Sequence, residues 1–485
     1  MILALTPLLV PLATAVLCTL THSSPRWQQR LSMSGSLVFL VLASGLVFQV
    51  STHNQMTLTV GNWPLPFGIE VVVDRLGSAL TLIAAFVLTI CLLWQSSHAD
   101  PAPKSGLLHP LMHGLVAGAC AAFIAADLFN LYVWFEVALI CALGLLAQGN
   151  SLKHLDATLK YFVLNLVGTL LLLTAVALLY AATGHLNFAA MGAAAAQVDV
   201  AIILPLLGLL MLAFLVKAAA FPFFAWLPAS YHTLPAPVLA LFSALMSKIG
   251  ICALIRILSE TFYPAPEVLM TVLSWVALLS MVVGVLGAAY HWDMRRILAF
   301  HSISQVGYML LALALASRAA DAAAIFFALH HSLVKAGLFL CAALIFSLTG
   351  YYDLRRIGGL YATHPGLAIL FLMFSLSLVG IPPSSGFWGK YLIVRECFAQ
   401  TQYLWAGVAL SVGGLTFYSM LKIWKEAFWK PHPDEHCPLA RPPKLIRAYT
   451  GLTLLLIAVL WIGLYPEPLL AFVNDASALF REGLR

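Results

Sequence analysis

The sequence is a succession of long apolar runs separated by short polar breaks. A helix that crosses a bilayer needs roughly 20 mostly apolar residues. By that measure the chain offers about fourteen spans. They fall at 2–21, 31–50, 76–96, 107–126, 129–148, 158–182, 200–227, 234–257, 268–290, 296–316, 321–348, 366–394, 403–424 and 449–471. The runs are continuous and do not alternate, which excludes a β-barrel. The charge content agrees. Of 485 residues, 62% are hydrophobic and 9% charged, where soluble domains carry about 25% charged residues. So few charges cannot cover a soluble chain of this length. A soluble enzyme, a nucleic-acid-binding module, a disordered chain and a secreted disulfide scaffold are excluded. The expected fold is an all-α polytopic membrane protein.

The eight cysteines, Cys437 among them, are scattered with no CxxC pair and read as small hydrophobes. The N-terminus has no basic lead and no small-residue cleavage site. Met1 to Leu20 is therefore expected to be a retained first span and not a signal peptide.

Basic residues set the orientation. With the N-terminus outside, fifteen fall in loops facing the cytoplasm, including Arg26, Arg30, Lys104, Lys153, Arg295, Arg296, Arg355, Arg441 and Lys444. Six fall outside: Arg75, Arg256, Arg318, Arg395, Arg481 and Arg485. The positive-inside rule selects this arrangement, with both termini outside and the net charge of +6 reflecting topology. The Pro-rich, basic stretch Lys430 to Arg447 is the largest cytoplasmic loop. It is too short for a domain and is expected to be a docking surface.

The remaining basic residues, Lys217, Lys248, Lys335 and Lys390, lie inside apolar spans, and Glu136 is the one acid deep in a span. A charge at the bilayer centre costs roughly 2.5–3.5 kcal/mol, so five facing lipid would cost more than ~10 kcal/mol. They must pair with one another or line water.

Two spans carry helix breakers at membrane depth. One reads LVKAAAFPFFAWLP from Leu215, the other LVGIPPSSGFWGKYL from Leu378. Proline removes a backbone donor, and unpaired backbone in hydrocarbon is tolerated only against protein or a wet cavity. Each break has a lysine beside it. From Pro222 to Pro382 is 160 residues, or about five spans at ~30 residues for each helix and loop. Two inverted five-helix repeats, each with a broken helix, fit that spacing. The expected organisation is an N-terminal three-helix segment at 1–106, repeats at 107–260 and 261–429, and a cytoplasmic loop with a C-terminal helix at 430–485.

The five charges suit a proton relay, because the protonation of each buried group depends on its neighbours. For Glu136 the alternative is a static ion pair that fixes packing. Lys217 adjoins a break. Lys248 and Lys390 have a second reading, as side chains that snorkel to an interface. FFALHHSLVKAGLFL places His330, His331 and Lys335 in mid-span, with His331 and Lys335 on one helix face. Histidine titrates near neutrality and suits a proton carrier. The rival is a hydrogen-bonded core histidine; a metal site lacks acids or cysteines to complete it. His301, in AFHSISQVGYM, is either a relay member or a packed polar residue. His109 and His113, near a helix start, are expected at the interface. No GxGxxG, Walker A, CxxCH or HExxH pattern is present, so no cofactor, nucleotide or metal site is expected.

The runs DLFNLYVWFEV, LVKAAAFPFFAWLPASYHTLPAPVLALFSALMSKIG, HSISQVGYM, HHSLVKAGLFL and GIPPSSGFWGKYL together resemble the antiporter-like membrane subunits. These occur in respiratory complex I and in Mrp-type multisubunit Na+/H+ antiporters. VGNWPLPFGIEVVVDRLG and DLFNLYVWFEV are most similar to the D-subunit branch of the Mrp type, and the doubled His330–His331 departs from it. The resemblance implies that Glu136 and Lys217 form the input pair of a proton half-channel. Lys248, His331, Lys335 and Lys390 would continue a hydrophilic axis. It implies no cofactor of its own, A- and C-like membrane subunits and lipid as partners, H+ and Na+ as cargo, and a bacterial inner membrane. No nucleic acid enters. A single mid-span carboxylate offers few oxygen ligands, so a Na+ site is expected to need a neighbouring membrane protein of the complex. The alternative implied is a proton-pumping subunit of complex I or a related redox complex.

Overall fold

The computed structural model describes residues 2–63, 68–97, 106–149, 151–432 and 445–482. Lys104, Cys437, Arg441, Lys444, Arg485 and most of the expected docking loop, at 433–444, lie outside the described residues. The N-terminal segment is α1 (Thr6–Leu20), α2 (Pro25–His53) and α3 (Arg75–Gln95). Between α2 and α3, β1 (Met56–Thr59) pairs antiparallel with β2 (Glu70–Val73), Met56 opposite Val73. There follow α4 (Leu108–Phe123), α5 (Leu128–Leu146), α6 (Leu152–Thr183), the short α7 (Phe188–Ala195), α8 (Val200–Ala218), α9 (Trp226–Tyr231) and α10 (Ala236–Ile255). Then come α11 (Glu267–Tyr290), α12 (Met294–Ala314), α13 (Arg318–Thr349), the single turn α14 (Leu360–Thr363), α15 (Pro365–Val379), α16 (Ser385–Ala399) and α17 (Tyr403–Trp424). The chain closes with α18 (Leu445–Leu464) and α19 (Glu467–Glu482).

Among the described residues twelve helices are long and apolar enough to cross a membrane, and α4 and α15 are shorter apolar helices. Each apolar run of the sequence overlaps one of these, and the runs 200–227 and 366–394 take in α9 and α16 as well. Short polar side chains start them. Asp74, Asp127, Asp293 and Ser317 each accept a hydrogen bond from a backbone N–H of the first turn. Asp127 and Ser317 thereby separate α4 from α5 and α12 from α13, where hydropathy alone runs on.

The connections gather at two ends of the bundle. At one, the hairpin end, Val71 bridges to Ala125, Asp127 to Asn187, and Arg318 donates to the Asn474 carbonyl. At the other, the basic end, Asp293 bridges to Asp353, Arg295 donates to the His232 carbonyl, and Arg447 donates to the Ser96 carbonyl. Joining alternate loops in this way requires successive long helices to run antiparallel.

Three helices, α10, α12 and α13, are buried nearly all round. They are predominantly apolar all round, as a helix inside a bundle is, apart from buried polar residues such as Lys248, His301, Gln305, His330, His331 and Lys335. Small residues bring their neighbours close. A Cβ added to Gly250 of α10 would lie 2.7 Å from the Ala218 nitrogen of α8.

Three expectations from the sequence need correction. Arg256 does not sit in a loop. The helix continues past Ile255 as a π-turn, Arg256–Thr261, and turns the guanidinium inward. There it bonds both Asp74 oxygens, Glu260 and the Phe123 carbonyl. His109 and His113 are buried and not interfacial, since both hydrogen-bond the buried Ser32 hydroxyl of α2. Where one C-terminal helix is expected, the chain forms two, α18 and α19. α19 lays an apolar face on the hairpin end, burying Val473, Ala476 and Phe480, and Asp475 pairs with Arg75. An amphipathic helix has no long apolar run, so a search for spans passes over it.

Candidate functional site

Both sequence-identified breaks are breaks in the structure. α8 stops at Ala218, and Ala219 turns left-handed at φ 61°. Seven residues of irregular chain, with a cis Phe221–Pro222 bond, precede α9. The exposed backbone groups find partners. The Trp226 indole donates to the Val216 carbonyl at 3.0 Å, and the Phe221 N–H donates to the Ser280 hydroxyl at 2.9 Å. The second break separates α15 from α16 around a cis Pro382–Pro383 bond, with Gly380 at φ 95°. Here Lys390 Nζ donates to the Val379 carbonyl at 2.9 Å, so the lysine satisfies the end of the helix that the prolines interrupt.

The first polar cluster joins α5, α6 and α8. Lys217 Nζ lies 3.7 Å from Glu136 Oε1. Thr169 stands between them. Its hydroxyl donates to Glu136 Oε1 at 2.5 Å and accepts from Lys217 Nζ at 2.8 Å. Glu136 keeps 25% of its side chain exposed and Lys217 only 4%. The cluster is thus open on the carboxylate side and closed on the amine side. The Phe135 ring lies 5.6 Å from the ammonium and adds a cation–π contact. Glycine at 168 lets α6 pack closely on α8 beside the lysine, since a Cβ there would lie 2.9 Å from Val216 Cγ1.

Inward of Lys217 is a cavity of about 10 Å³, near the least that admits one water. Tyr161, Asn165, Met246 and Ile249 line it with Lys217. The Tyr161 hydroxyl is buried and has no hydrogen-bond partner among the described residues. Ile249 adjoins Lys248, the next charge inward.

The second cluster joins α10, α12, α13 and α16. Lys248 is buried and donates to the Ser243 carbonyl at 2.6 Å. Lys335 is buried and donates to the Leu298 carbonyl of α12. His331 lies fully buried between them, with Lys248, Lys335, Lys390 and His330 all in electrostatic reach. Neither of its ring nitrogens has a partner among the described residues. His330 points the other way, to the Ser385 hydroxyl at 2.8 Å, beside the second break. His301 bonds Ser419 of α17 through Nε2, while its Nδ1 has no partner among the described residues. Lys390 also lies 4.8 Å from the Tyr308 ring.

The structure therefore brings Glu136 with Lys217, and Lys248 with His331, Lys335 and Lys390. It leaves neither Lys248 nor Lys390 snorkelling. Two contributors escape a search for charges. Thr169 carries no signal, because threonine in a helix ordinarily bonds its own backbone. Gln305, in HSISQVGYM, is fully buried, and neither amide atom has a partner among the described residues. Its amide at mid-span was the available signal. Among the described residues no three histidine, cysteine, aspartate or glutamate side chains converge to hold a metal.

The family described as "NADH:quinone oxidoreductase/Mrp antiporter, TM" matches residues 125–416, which include every charged residue and histidine of both clusters. Similar proteins include the D-subunit of the Na(+)/H(+) antiporter of Alkalihalophilus pseudofirmus, 36% identical over 436 residues, 89% of this chain and 88% of that protein. The D-subunit of the Na(+)/H(+) antiporter of Bacillus subtilis is 32% identical over 97% of this chain and 95% of its own length. Among solved structures, a chain of the Mrp complex from Dietzia sp. superposes with a TM-score of 0.91 at 29% identity, covering all of both chains. A chain of the membrane-bound sulfane sulfur reductase, an archaeal respiratory membrane complex, gives 0.89 at 25% identity over 98% and 97%. On the family match and these relatives, the chain belongs to the NADH:quinone oxidoreductase/Mrp antiporter family of membrane subunits.

Proposed function

We propose that this chain is the proton-translocating subunit of a multisubunit monovalent cation (Na+)/proton antiporter in a bacterial cell membrane. The single observation that carries the reading is the Glu136–Thr169–Lys217 chain, open at its carboxylate and closed at its amine. A proton reaching Glu136 removes the charge that faces Lys217. Thr169, which donates to one and accepts from the other, transmits that change without moving far. Lys217 then exchanges its proton with the cavity beside Tyr161 and with Lys248. His331, with both nitrogens free of partners among the described residues, passes it between Lys248 and Lys335. Lys390, at the second break, is the terminal carrier, with His330 and His301 flanking. Each step changes the electrostatic energy of the next, so the sites titrate as a coupled set.

The same reading places the two clusters in two inverted five-helix repeats, with both chain termini outside. It assigns the cation path to contact with further membrane subunits, A- and C-like, because one carboxylate supplies too few oxygen ligands alone. The test is cation-dependent proton flux in everted vesicles from cells expressing the complete complex. Glu136→Gln and Lys217→Ala abolish flux while the complex still assembles. Normal flux in assembled variants overturns the proposal.

Likeness to a respiratory membrane complex favours a second reading, a proton pump that a redox arm drives. Iron–sulfur or flavin proteins co-purifying with the chain select it; small hydrophobic membrane subunits select the antiporter.

A further inference from the structure

The basic end of the bundle carries a cavity of about 650 Å³ that the polar axis does not use. Lys153, Arg295, Arg296 and Arg355 line it, and the acids facing them are Asp293 and Asp353. Both acids are already committed. Asp293 pairs with Arg295 at 3.1 Å and Asp353 with Arg355 at 2.8 Å. Lys153 and Arg296 are exposed and form no ion pair among the described residues. The cavity therefore holds two cations that its own acids do not neutralise.

Its frame is fixed. Arg295 donates to the His232 carbonyl at 2.5 Å and stacks 3.8 Å from the Tyr352 ring. Lys422 of α17 donates to the carbonyls of Ala289 and His291 at 3.0 and 2.7 Å, holding the α11–α12 connection. Burial holds His291 below the ordinary histidine range; Arg296 and Lys422 add to the effect and Asp293 opposes it.

Two aromatic side chains stand on the cavity wall, and exposed leucines flank Lys153 in the chain. Tyr290, on its wall, is 79% exposed, and Trp292 is exposed beside it. Leu152 and Leu155, next to Lys153 on the first turn of α6, are 85% and 65% exposed. Exposed aromatic rings and leucines at the ends of apolar helices mark the boundary between headgroups and hydrocarbon. A basic pocket at that boundary matches the charge of a phosphodiester and offers its acyl chains an apolar surface.

We propose that this cavity binds the headgroup of an anionic phospholipid, with Lys153 and Arg296 on the phosphate and Leu152, Leu155 and Tyr290 against the chains. The lipid would brace the His232 loop, the exit from α9, against the start of α12. It thus ties the first broken helix to the helix that bears His301 and Gln305.

The test uses the intact complex, purified in detergent and studied by native mass spectrometry with added phosphatidylglycerol or phosphatidylcholine. Wild type retains phosphatidylglycerol preferentially. Lys153→Gln with Arg296→Gln lowers that retention by about tenfold or more, at ~1 kcal/mol for each basic residue near the surface. Arg296→Lys keeps it. Both altered side chains are exposed and unpaired, so the fold is spared. Equal retention of the two lipids, or unchanged retention in the double variant, overturns the proposal. So does full competition by inorganic phosphate, which would make this a site for soluble anions. Loss of a protein component of the complex from the double variant, with lipid retention unchanged, would assign the pocket to an acidic partner segment and also overturns it.

Discussion

Glu136 and Lys217 are 3.7 Å apart, and the hydroxyl of Thr169 fills the interval with one bond to each. A direct ion pair would hold both charges in place. A hydroxyl relay lets the two groups sense one another while each remains free to exchange a proton with its own side. The carboxylate has that freedom through its partial exposure, and the ammonium through the cavity beside Tyr161.

Thr169 is accordingly the first test of the arrangement. Thr169→Val keeps the shape and removes both hydrogen bonds. Bonds to charged groups contribute about 1.5–3 kcal/mol, so proton flux is expected to fall by roughly tenfold or more. Thr169→Ser restores it. Vesicle flux normalised to assembled complex reads the difference, and equal flux in the valine and serine variants would show that the bridge is only structural.

His331 separates a relay from a packed core. Its ring stacks on Phe327, with centroids 6.4 Å apart and planes at 9°. His331→Phe keeps an aromatic ring in that stack and enlarges the ring by one atom. Removal of the unpaired nitrogens is expected to leave thermal stability unchanged or raised, and to abolish flux. A core histidine would show the first effect without the second.

Arg256 and Asp74 tie α3 to the end of α10 by a pair bonded at 2.9 and 3.2 Å. Asp74→Asn leaves a buried guanidinium without its main counter-charge. Removing one partner of such a pair costs about 3–5 kcal/mol. The expected result is a large fall in the unfolding temperature of the purified complex, independent of any flux measurement.

Gly386 is the second residue of α16, the helix after the second break. A Cβ there would run into the Ser377 carbonyl and lie 3.0 Å from His330 Cε1. Gly386→Ala is expected to push α16 off α15, lowering both assembly and flux. Gly407→Ala is the control, because an added Cβ at 407 meets nothing within 4 Å. Immunoblots of membrane fractions and vesicle flux read both.

Much of this protein is a property of its sequence. Apolar run length determines that the chain is a helical membrane protein, because hydrocarbon admits only backbone that satisfies its own hydrogen bonds. The same solvent penalty makes charges at membrane depth rare, which singles out Glu136, Lys217, Lys248, Lys335 and Lys390 without a structure. Prolines mark both breaks for the same reason. What the tertiary structure alone decided is who meets whom. Thr169 is an ordinary threonine until α5, α6 and α8 bring it between two charges. Arg256 reads as a loop cation until a π-turn carries it to Asp74, 182 positions away. α19 is hidden because its apolar residues are spread along one face, and only the surface it covers reveals why they are there. Composition is local and additive, so it survives in the sequence. Partnership depends on packing between distant helices, and only the folded chain determines it.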